Sequence, residues 1–199
     1  FITGTNLLAS DKSSEALLFL VEYASKSGVS IVIDANWREI FWDNLDKSSQ
    51  IQRQDHIQKI KKFLLNGDIL KLSNEEAILF FGNNNPLLIS QSLSKKPDVI
   101  ITNGDKPISW FINGFQDTTK VLKSPRIVDT TGAGDSFLAG LISRFINRKE
   151  DFDKDSLINH IQFASVCGLI SCLGEGAIQP QPNINPVSYT HLRAHETTS

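Results

Sequence analysis

The chain has 199 residues, of which 40% are hydrophobic and 21% charged, and this is enough for one α/β domain with its own core. A net charge of −2 gives no general attraction to nucleic acid or to an anionic membrane surface. The longest apolar run, residues 16–21, is far shorter than the ~20 residues of a membrane span, and no signal peptide is visible.

Segments with helical spacing alternate with strand-like segments along the chain. Residues 10–26 form a predicted helix, capped by Ser10 or Asp11 at its start and ended by Gly28. Residues 29–34 (VSIVID) are a β-branched run typical of a strand buried on both faces. The later predicted elements are helix 55–65, strand 68–73, helices 74–82 and 86–93, strand 98–104, a hairpin of 108–112 and 115–122 around Asn113-Gly114, and helices 132–147 and 155–172.

This alternation predicts right-handed crossovers and a mostly parallel sheet. Ligands of such sheets bind beyond the carboxyl ends of the strands, where polar residues cluster in this sequence. We therefore expect one cleft lined by four polar sets, in a strand order that the sequence leaves open. The sets are Asp34 with Asn36, Ser73 with Glu76, Thr102 with Gly104, and residues 129–135.

The stretch IVDTTGAGDSFLAG, residues 127–140, places a glycine turn directly before a predicted helix. The first backbone N–H groups of a helix lack intrahelical partners, and glycine allows close approach of a ligand. The N–H groups of Gly132, Ala133, Gly134 and Asp135 are therefore predicted to bind an anion such as a phosphoryl group. Asp135 would accept a proton from an attacking hydroxyl, and the alternative is that it is a plain helix cap.

Two further features concern the cysteines and the C-terminal end. Cys167 and Cys172 lie on one predicted buried helix, which favours two reduced core thiols and a cytoplasmic location, with a plastid as the alternative in a plant or alga. Residues 186–199 lack periodicity and resemble a tail found on unrelated library-derived sequences, so we expect residues 183–199 to be disordered or non-native. His191 and His195 have the spacing of helical metal ligands, but disorder is the expected state.

Several stretches, taken together, resemble the ribokinase/pfkB family of carbohydrate kinases. VDTTGAGDSFLAG is similar to the C-terminal signature of that family, and four other segments agree with it in order and spacing. They are DANWREIFW (34–42), KLSNEEAILFFG (71–82), VIITNGDKPISWF (99–111) and FASVCGLISCLGEGAIQPQP (163–182). The resemblance implies a ribokinase-like α/β/α sandwich with a mostly parallel sheet. Residues 1–182 would be its C-terminal part, without the N-terminal strands and the lid.

The resemblance also implies a function and a role for each matching residue. The expected reaction is the ATP-dependent phosphorylation of a sugar hydroxyl, as in a fructokinase, with Mg²⁺ and K⁺ as cations. Asp135 would be the base, and Gly132, Ala133 and Gly134 would form the anion hole. The residues implied to contact ATP are Asn36, Ser73, Thr102, Gly104 and Ser165, and adenine would lie between residues 121–127 and 163–168. Glu76 would contact Mg²⁺ through water, and main-chain atoms of Asp129 and Thr131 would bind the monovalent cation. Arg38 would contact phosphate or sugar.

Structural alternatives exist for three of these residues. Glu76 is also a typical first-turn helix acid, Asn36 a turn residue and Arg38 a solvated charge. The competing functions are a ketodeoxygluconate or nucleoside kinase and a non-catalytic pfkB-like scaffold. The G-x-G-x-x-G and P-loop motifs of other nucleotide-binding folds are absent.

The chain starts at Phe1 and contains no Met, so we expect a fragment or a processed chain. The sugar-binding segment and lid of the family would lie in the missing N-terminal part. The isolated chain is therefore expected to be inactive and poorly stable, because the absent strands leave an open sheet edge. A homodimer is a further expectation for the full-length protein.

Overall fold

A computed structural model describes residues 2–38, 47–124, 126–146 and 153–182. Helices and strands alternate through the first half of this described part, and a strand hairpin and two long helices follow. The elements are β1 (Ile2–Thr3), α1 (Gly4–Leu8), α2 (Asp11–Lys26), β2 (Val32–Asp34), α3 (Lys47–Leu64), β3 (Ile69–Ser73), α4 (Asn74–Phe81), α5 (Pro86–Ser92), β4 (Asp98–Asn103), β5 (Lys106–Ile112), β6 (Phe115–Thr119), α6 (Ala133–Ile146) and α7 (Lys154–Ser171).

The strands form one sheet in the order β1-β2-β3-β4-β5-β6. The pairs from β1 to β4 are parallel. Only two residues connect β4 to β5, and two connect β5 to β6, whereas a parallel connection needs a dozen or more. These last two pairs are therefore antiparallel. The α/β class with a mostly parallel sheet is confirmed.

The hairpin and the first helix cap follow the sequence prediction closely. Asn113 and Gly114 have φ values of 50° and 82°, and a type I′ turn requires positive values at both central positions. Ser10 is the N-cap of α2, where its hydroxyl accepts the backbone N–H of Ser13 at 3.1 Å. The local sequence therefore determines both features.

Several elements differ from the prediction, and β6, for example, ends at Thr119 and not at residue 122. β2 begins at Val32, because Val29 belongs to the turn after α2 and donates its N–H to the Ala24 carbonyl. α3 begins at Lys47, eight residues before the predicted start at Asp55. Its first turns carry the exposed residues 50–52, so no apolar period marks them. The short α1 was not predicted, because five residues are too few to show a helical period.

The chain divides into two compact units: residues 1–103 with 109–117, and residues 104–108 with 118–199. In the first unit β3 is buried at four consecutive residues, Ile69 to Leu72, so protein covers both faces of the sheet. Its core contains fully buried residues from strands and helices alike, among them Ile33, Leu70, Val99, Phe63 and Phe80. The sheet and the protein that covers its two faces form the three layers of the predicted sandwich.

In the second unit α6 and α7 approach closely at glycines. A Cβ on Gly140 would lie 2.7 Å from Cys167 Sγ, and one on Gly168 would lie 3.0 Å from the Ala133 carbonyl oxygen. Cys167 and Cys172 are both buried and free of a disulfide. Burial raises the pKa of Cys167 to about 11, so its thiol stays protonated at neutral pH. The expectation of two reduced core thiols is confirmed.

Within the described ranges, each helix is too short or too polar to cross a lipid bilayer.

Candidate functional site

The carboxyl ends of three neighbouring parallel strands bring predicted polar residues to one edge of the sheet. β2 ends at Asp34, which pairs in register with Lys71 of β3. β3 ends at Ser73, which pairs with Thr102 of β4. The Thr102 hydroxyl donates to the Leu72 carbonyl of β3 at 3.4 Å, so the proton of this hydroxyl is already used in a hydrogen bond. The first three polar sets therefore lie where the strand pattern predicted them.

A buried ion pair joins β2 to β3 at this edge. Lys71 Nζ lies 3.2 Å from both carboxylate oxygens of Asp34, and the two side chains are only 9% and 2% exposed. Sequence reasoning did not single out Lys71. The signal was present, because a lone charge inside the apolar run ILKLS requires a buried partner.

Glu76 is held by backbone N–H groups on two sides. Ser73 caps α4: its hydroxyl accepts the Glu76 N–H at 3.1 Å, and Glu76 Oε2 accepts the Ser73 N–H at 2.7 Å. Glu76 Oε1 accepts the backbone N–H of Trp37 at 2.6 Å. The carboxylate therefore joins the start of α4 to the loop after β2. Glu76 is therefore part of the N-terminal cap of α4, in addition to any role in binding.

Glu76 is only 7% exposed, and burial is the main influence on the ionisation of its carboxyl. Burial raises the pKa of its carboxyl above the usual value of 4.5. The charge of Lys71 and the N–H groups of Ser73 and Trp37 oppose this rise, and the charge of Asp34 adds to it. The balance is upward, so ionised Glu76 costs free energy in the fold.

Replacing Glu76 by Gln is expected to change the pH dependence of stability. A raised folded pKa means that the contribution of Glu76 is fully present below pH 4.5 and is lost as pH rises through the folded value. The free energy of unfolding of the wild type, relative to Glu76→Gln, should therefore fall as the pH rises above 4.5. Urea unfolding at several pH values measures this difference. A difference that grows with pH would contradict the raised pKa.

The loop after β2 places Asn36 in an unusual backbone conformation. Asn36 has a φ of 44°, and its backbone N–H donates to Asp34 Oδ1 at 3.2 Å. Asparagine tolerates this left-handed region better than most residues. Arg38 is exposed. The loop therefore follows a fixed path that begins at the ion pair.

Trp37 packs against two neighbouring side chains. Its ring meets Phe80 edge to face at 6.2 Å, and the Arg53 guanidinium lies 5.7 Å from its centroid. These contacts make Trp37 a packing residue. The contact of Arg53 with Trp37 was not predicted, because Arg53 lies in the part of α3 that precedes the predicted helix.

In the second unit Asp129 ties the glycine turn to a segment after α7. Its Oδ1 accepts the hydroxyl and the backbone N–H of Thr131 at 2.7 and 2.9 Å, and its Oδ2 accepts the Gly176 N–H at 2.9 Å. These bonds, with the Thr131 hydroxyl as the largest effect, lower the pKa of Asp129 below its usual range. Main-chain cation binding by Asp129 and Thr131 stays a prediction.

The turn itself requires glycine at position 132 for two reasons. Gly132 has a φ of 80°, and a Cβ there would lie 3.0 Å from the Ala177 Cβ. The N–H of Ala133 donates to the Thr130 carbonyl at 3.2 Å, and that of Ser136 to the Gly132 carbonyl at 2.9 Å. The turn is thus built by its own backbone bonds.

The start of α6 leaves donors available. Among the described residues, none accepts the backbone N–H of Gly134 or Asp135. The Asp135 side chain is exposed in the same first turn. Of the four predicted anion donors, Ala133 is engaged within the turn, while the N–H groups of Gly132, Gly134 and Asp135 can still bind a ligand.

The two predicted adenine-binding segments also meet in this unit. Leu122 packs against Phe163, Val166 and Cys167 of α7. The hydroxyl of Ser165 donates to the Gln162 carbonyl at 3.0 Å, a bond within its own helix. Gly104 lies in the β4–β5 turn with a φ of 56°. Contact of these residues with a nucleotide stays a prediction.

In the described ranges, no group of three or more His, Cys, Asp or Glu side chains is arranged to hold a metal ion. His191 and His195, with the rest of the predicted tail 183–199, lie outside the described residues.

Comparison with known proteins identifies a family and a fold. A sequence model described as "pfkB family carbohydrate kinase" matches residues 1–184. "Fructokinase-1" of Zea mays is 26% identical over 186 residues, which is 92% of this chain and 55% of that protein. "Probable fructokinase-6, chloroplastic" of Arabidopsis thaliana is 26% identical over 199 residues, 98% of this chain and 50% of that protein. The chain thus spans about half the length of these relatives.

Solved structures agree on the fold. A fructokinase from Vibrio cholerae O395, in its fructose, ADP and calcium ion bound form, superimposes with a TM-score of 0.78 at 22% identity. The match covers 94% of this chain and 58% of that one. A putative ribokinase II from E. coli in complex with ATP and Mg²⁺ gives a TM-score of 0.76 at 21% identity, over 98% of this chain and 58% of that one. The predicted ribokinase-like fold is confirmed.

Proposed function

The chain belongs to the pfkB family of carbohydrate kinases, and from this premise we propose that it carries the phosphate-binding part of an ATP-dependent, fructokinase-like sugar kinase. The observation that carries the proposal is the first turn of α6. Two backbone N–H groups there, those of Gly134 and Asp135, have no acceptor among the described residues, and an exposed carboxylate belongs to the same turn. Donors for an anion and an acceptor for a proton are the two needs of phosphoryl transfer to a hydroxyl.

Asp135 has the role of general base in this proposal. The sugar hydroxyl oxygen forms a bond to the γ-phosphorus, and the bond to the oxygen of the leaving ADP breaks. The hydroxyl proton passes to the Asp135 carboxylate. The N–H groups of Gly134 and Asp135, with Gly132 and Ala133 shaping the turn, bind the negative charge of the transferred group. The positive end of the α6 dipole adds to this stabilisation.

The nucleotide and its cations would be held by the remaining residues. Mg²⁺, when bound, would neutralise charge on the phosphate oxygens. Both Glu76 oxygens already accept N–H groups, so this carboxylate fits a contact through water better than direct coordination. The other proposed contacts are Asn36, Ser73, Thr102, Gly104 and Ser165 with ATP, Arg38 with phosphate or sugar, and main-chain atoms of Asp129 and Thr131 with K⁺.

A chimeric enzyme tests the function. Residues 1–182 replace the matching segment of the Zea mays fructokinase, and ATP turnover is measured with fructose. We expect turnover with fructose, and none from the isolated 199-residue chain. The parent fructokinase is the positive control, and circular dichroism verifies folding.

Two outcomes would change the conclusion. A folded chimera that does not bind Mg·ATP would show that residues 1–182 lack the proposed nucleotide site. A folded chimera that binds Mg·ATP but phosphorylates nothing would favour the scaffold alternative.

A further inference from the structure

The Asp34–Lys71 ion pair is unusual among the charges of the described residues. Its side chains are at most 9% exposed, whereas the pairs Lys26–Glu22, Lys95–Asp68 and Lys123–Asp105 are at least 37% exposed. A buried pair loses much of its attraction to desolvation, and apolar residues of similar volume are often at least as stable. Stability alone is therefore a weak reason for a lysine at this position.

Lys71 holds the chain after β2 at two successive points. Its carbonyl accepts the Ala35 N–H at 3.2 Å. Its Nζ binds both oxygens of Asp34, and Asp34 Oδ1 in turn accepts the Asn36 N–H. Since both carboxylate oxygens are bound, the Asp34 side chain cannot rotate away from Asn36 without breaking the ion pair.

The same loop is held at its next residue by Glu76. The Trp37 N–H donates to Glu76 Oε1, one residue after the N–H that donates to Asp34. Between these two carboxylates Asn36 keeps its φ of 44°. A strained backbone of this kind persists where the surroundings over-determine it. Asn36 and Glu76 are the residues proposed above to contact ATP and, through water, Mg²⁺.

We propose that Lys71 is a positioning residue of the nucleotide site: it orients Asp34, which fixes the backbone of Asn36 and the path of the loop toward Glu76. The proposal rests on the proposed function, because the benefit of a fixed loop is contact with Mg·ATP. Lys71 itself touches no reacting atom in this role. Outer residues that orient the ligands of a site commonly contribute about 10–100-fold to affinity or activity.

The test compares two variants with a matched control in the 199-residue chain. Lys71→Met leaves a buried carboxylate unpaired and should lower the melting temperature or prevent folding. The double variant Asp34→Asn/Lys71→Met removes both charges and should regain the fold. Lys95→Met breaks the more exposed Lys95–Asp68 pair and is the control. Amide hydrogen exchange of Asn36 and Trp37 and calorimetric affinity for Mg·ATP are the readouts.

For the folded double variant we expect faster exchange at both amides and Mg·ATP affinity about 10–100-fold weaker, with Lys95→Met like the wild type. A double variant that keeps wild-type exchange and affinity would overturn the proposal, since the pair would then serve charge balance only. If the wild-type chain itself does not bind Mg·ATP, the proposed function fails, and amide exchange still decides whether Lys71 fixes the loop.

Discussion

Asp135→Asn, made in the chimera with the Zea mays fructokinase, is expected to lower turnover by about 10²–10⁴-fold, the usual contribution of a general base. The asparagine amide has nearly the shape of the carboxylate but cannot accept the hydroxyl proton. Affinity for Mg·ATP should change little, because the N–H groups of Gly134 and Asp135 belong to the backbone and are retained. Steady-state kinetics with separate kcat and KM, together with calorimetry, measure both effects.

A second aspartate provides the control for this experiment. Asp155 is also an exposed acid in the first turn of a long helix, α7, so Asp155→Asn removes the same favourable charge at a helix N-terminus. Only a catalytic base makes the two variants differ. Equal turnover in Asp135→Asn and Asp155→Asn would show that Asp135 is a helix-terminal acid and would remove it from the mechanism.

Much of the site edge was predictable because it depends on local pattern. Alternating helices and strands imply a parallel sheet, and a parallel sheet places Asp34, Ser73 and Thr102 at one edge. The capping box was also readable, since Ser73 and Glu76 have its S-x-x-E spacing. Glu76 was interpreted as a magnesium contact or a first-turn helix acid, and its reciprocal bonding with Ser73 was not predicted.

The contacts that define the site geometry are non-local. The bond between the Trp37 N–H and Glu76 joins residues 39 positions apart, and the Asp34–Lys71 pair spans 37 positions. Hydrophobic period and turn chemistry carry no information about such pairings. A lone lysine in an apolar strand indicates that a partner exists, but only the strand register identifies Asp34 as that partner. The predicted single cleft that includes residues 129–135 stays a prediction.

Gly132→Ala is expected to reduce the free energy of unfolding by about 2–5 kcal/mol, which combines the cost of a left-handed alanine with the cost of overpacking. The φ of 80° supplies the first cost, and the contact with Ala177 supplies the second. Relief of the contact must move Ala177 or the turn, and the turn carries the donors at the start of α6. We therefore expect weaker Mg·ATP binding as well, measured by calorimetry beside urea unfolding.

Gly28→Ala separates the two costs. Gly28 has a φ of 66°, and a Cβ there would meet nothing within 4 Å, so only the conformational cost of about 1–2 kcal/mol applies. The excess loss in Gly132→Ala then measures the packing of Ala177 on the turn. Equal losses in the two variants would mean that conformation alone requires glycine at position 132. Unchanged Mg·ATP affinity in a destabilised Gly132→Ala would separate the turn from phosphate binding and leave its glycine a structural residue.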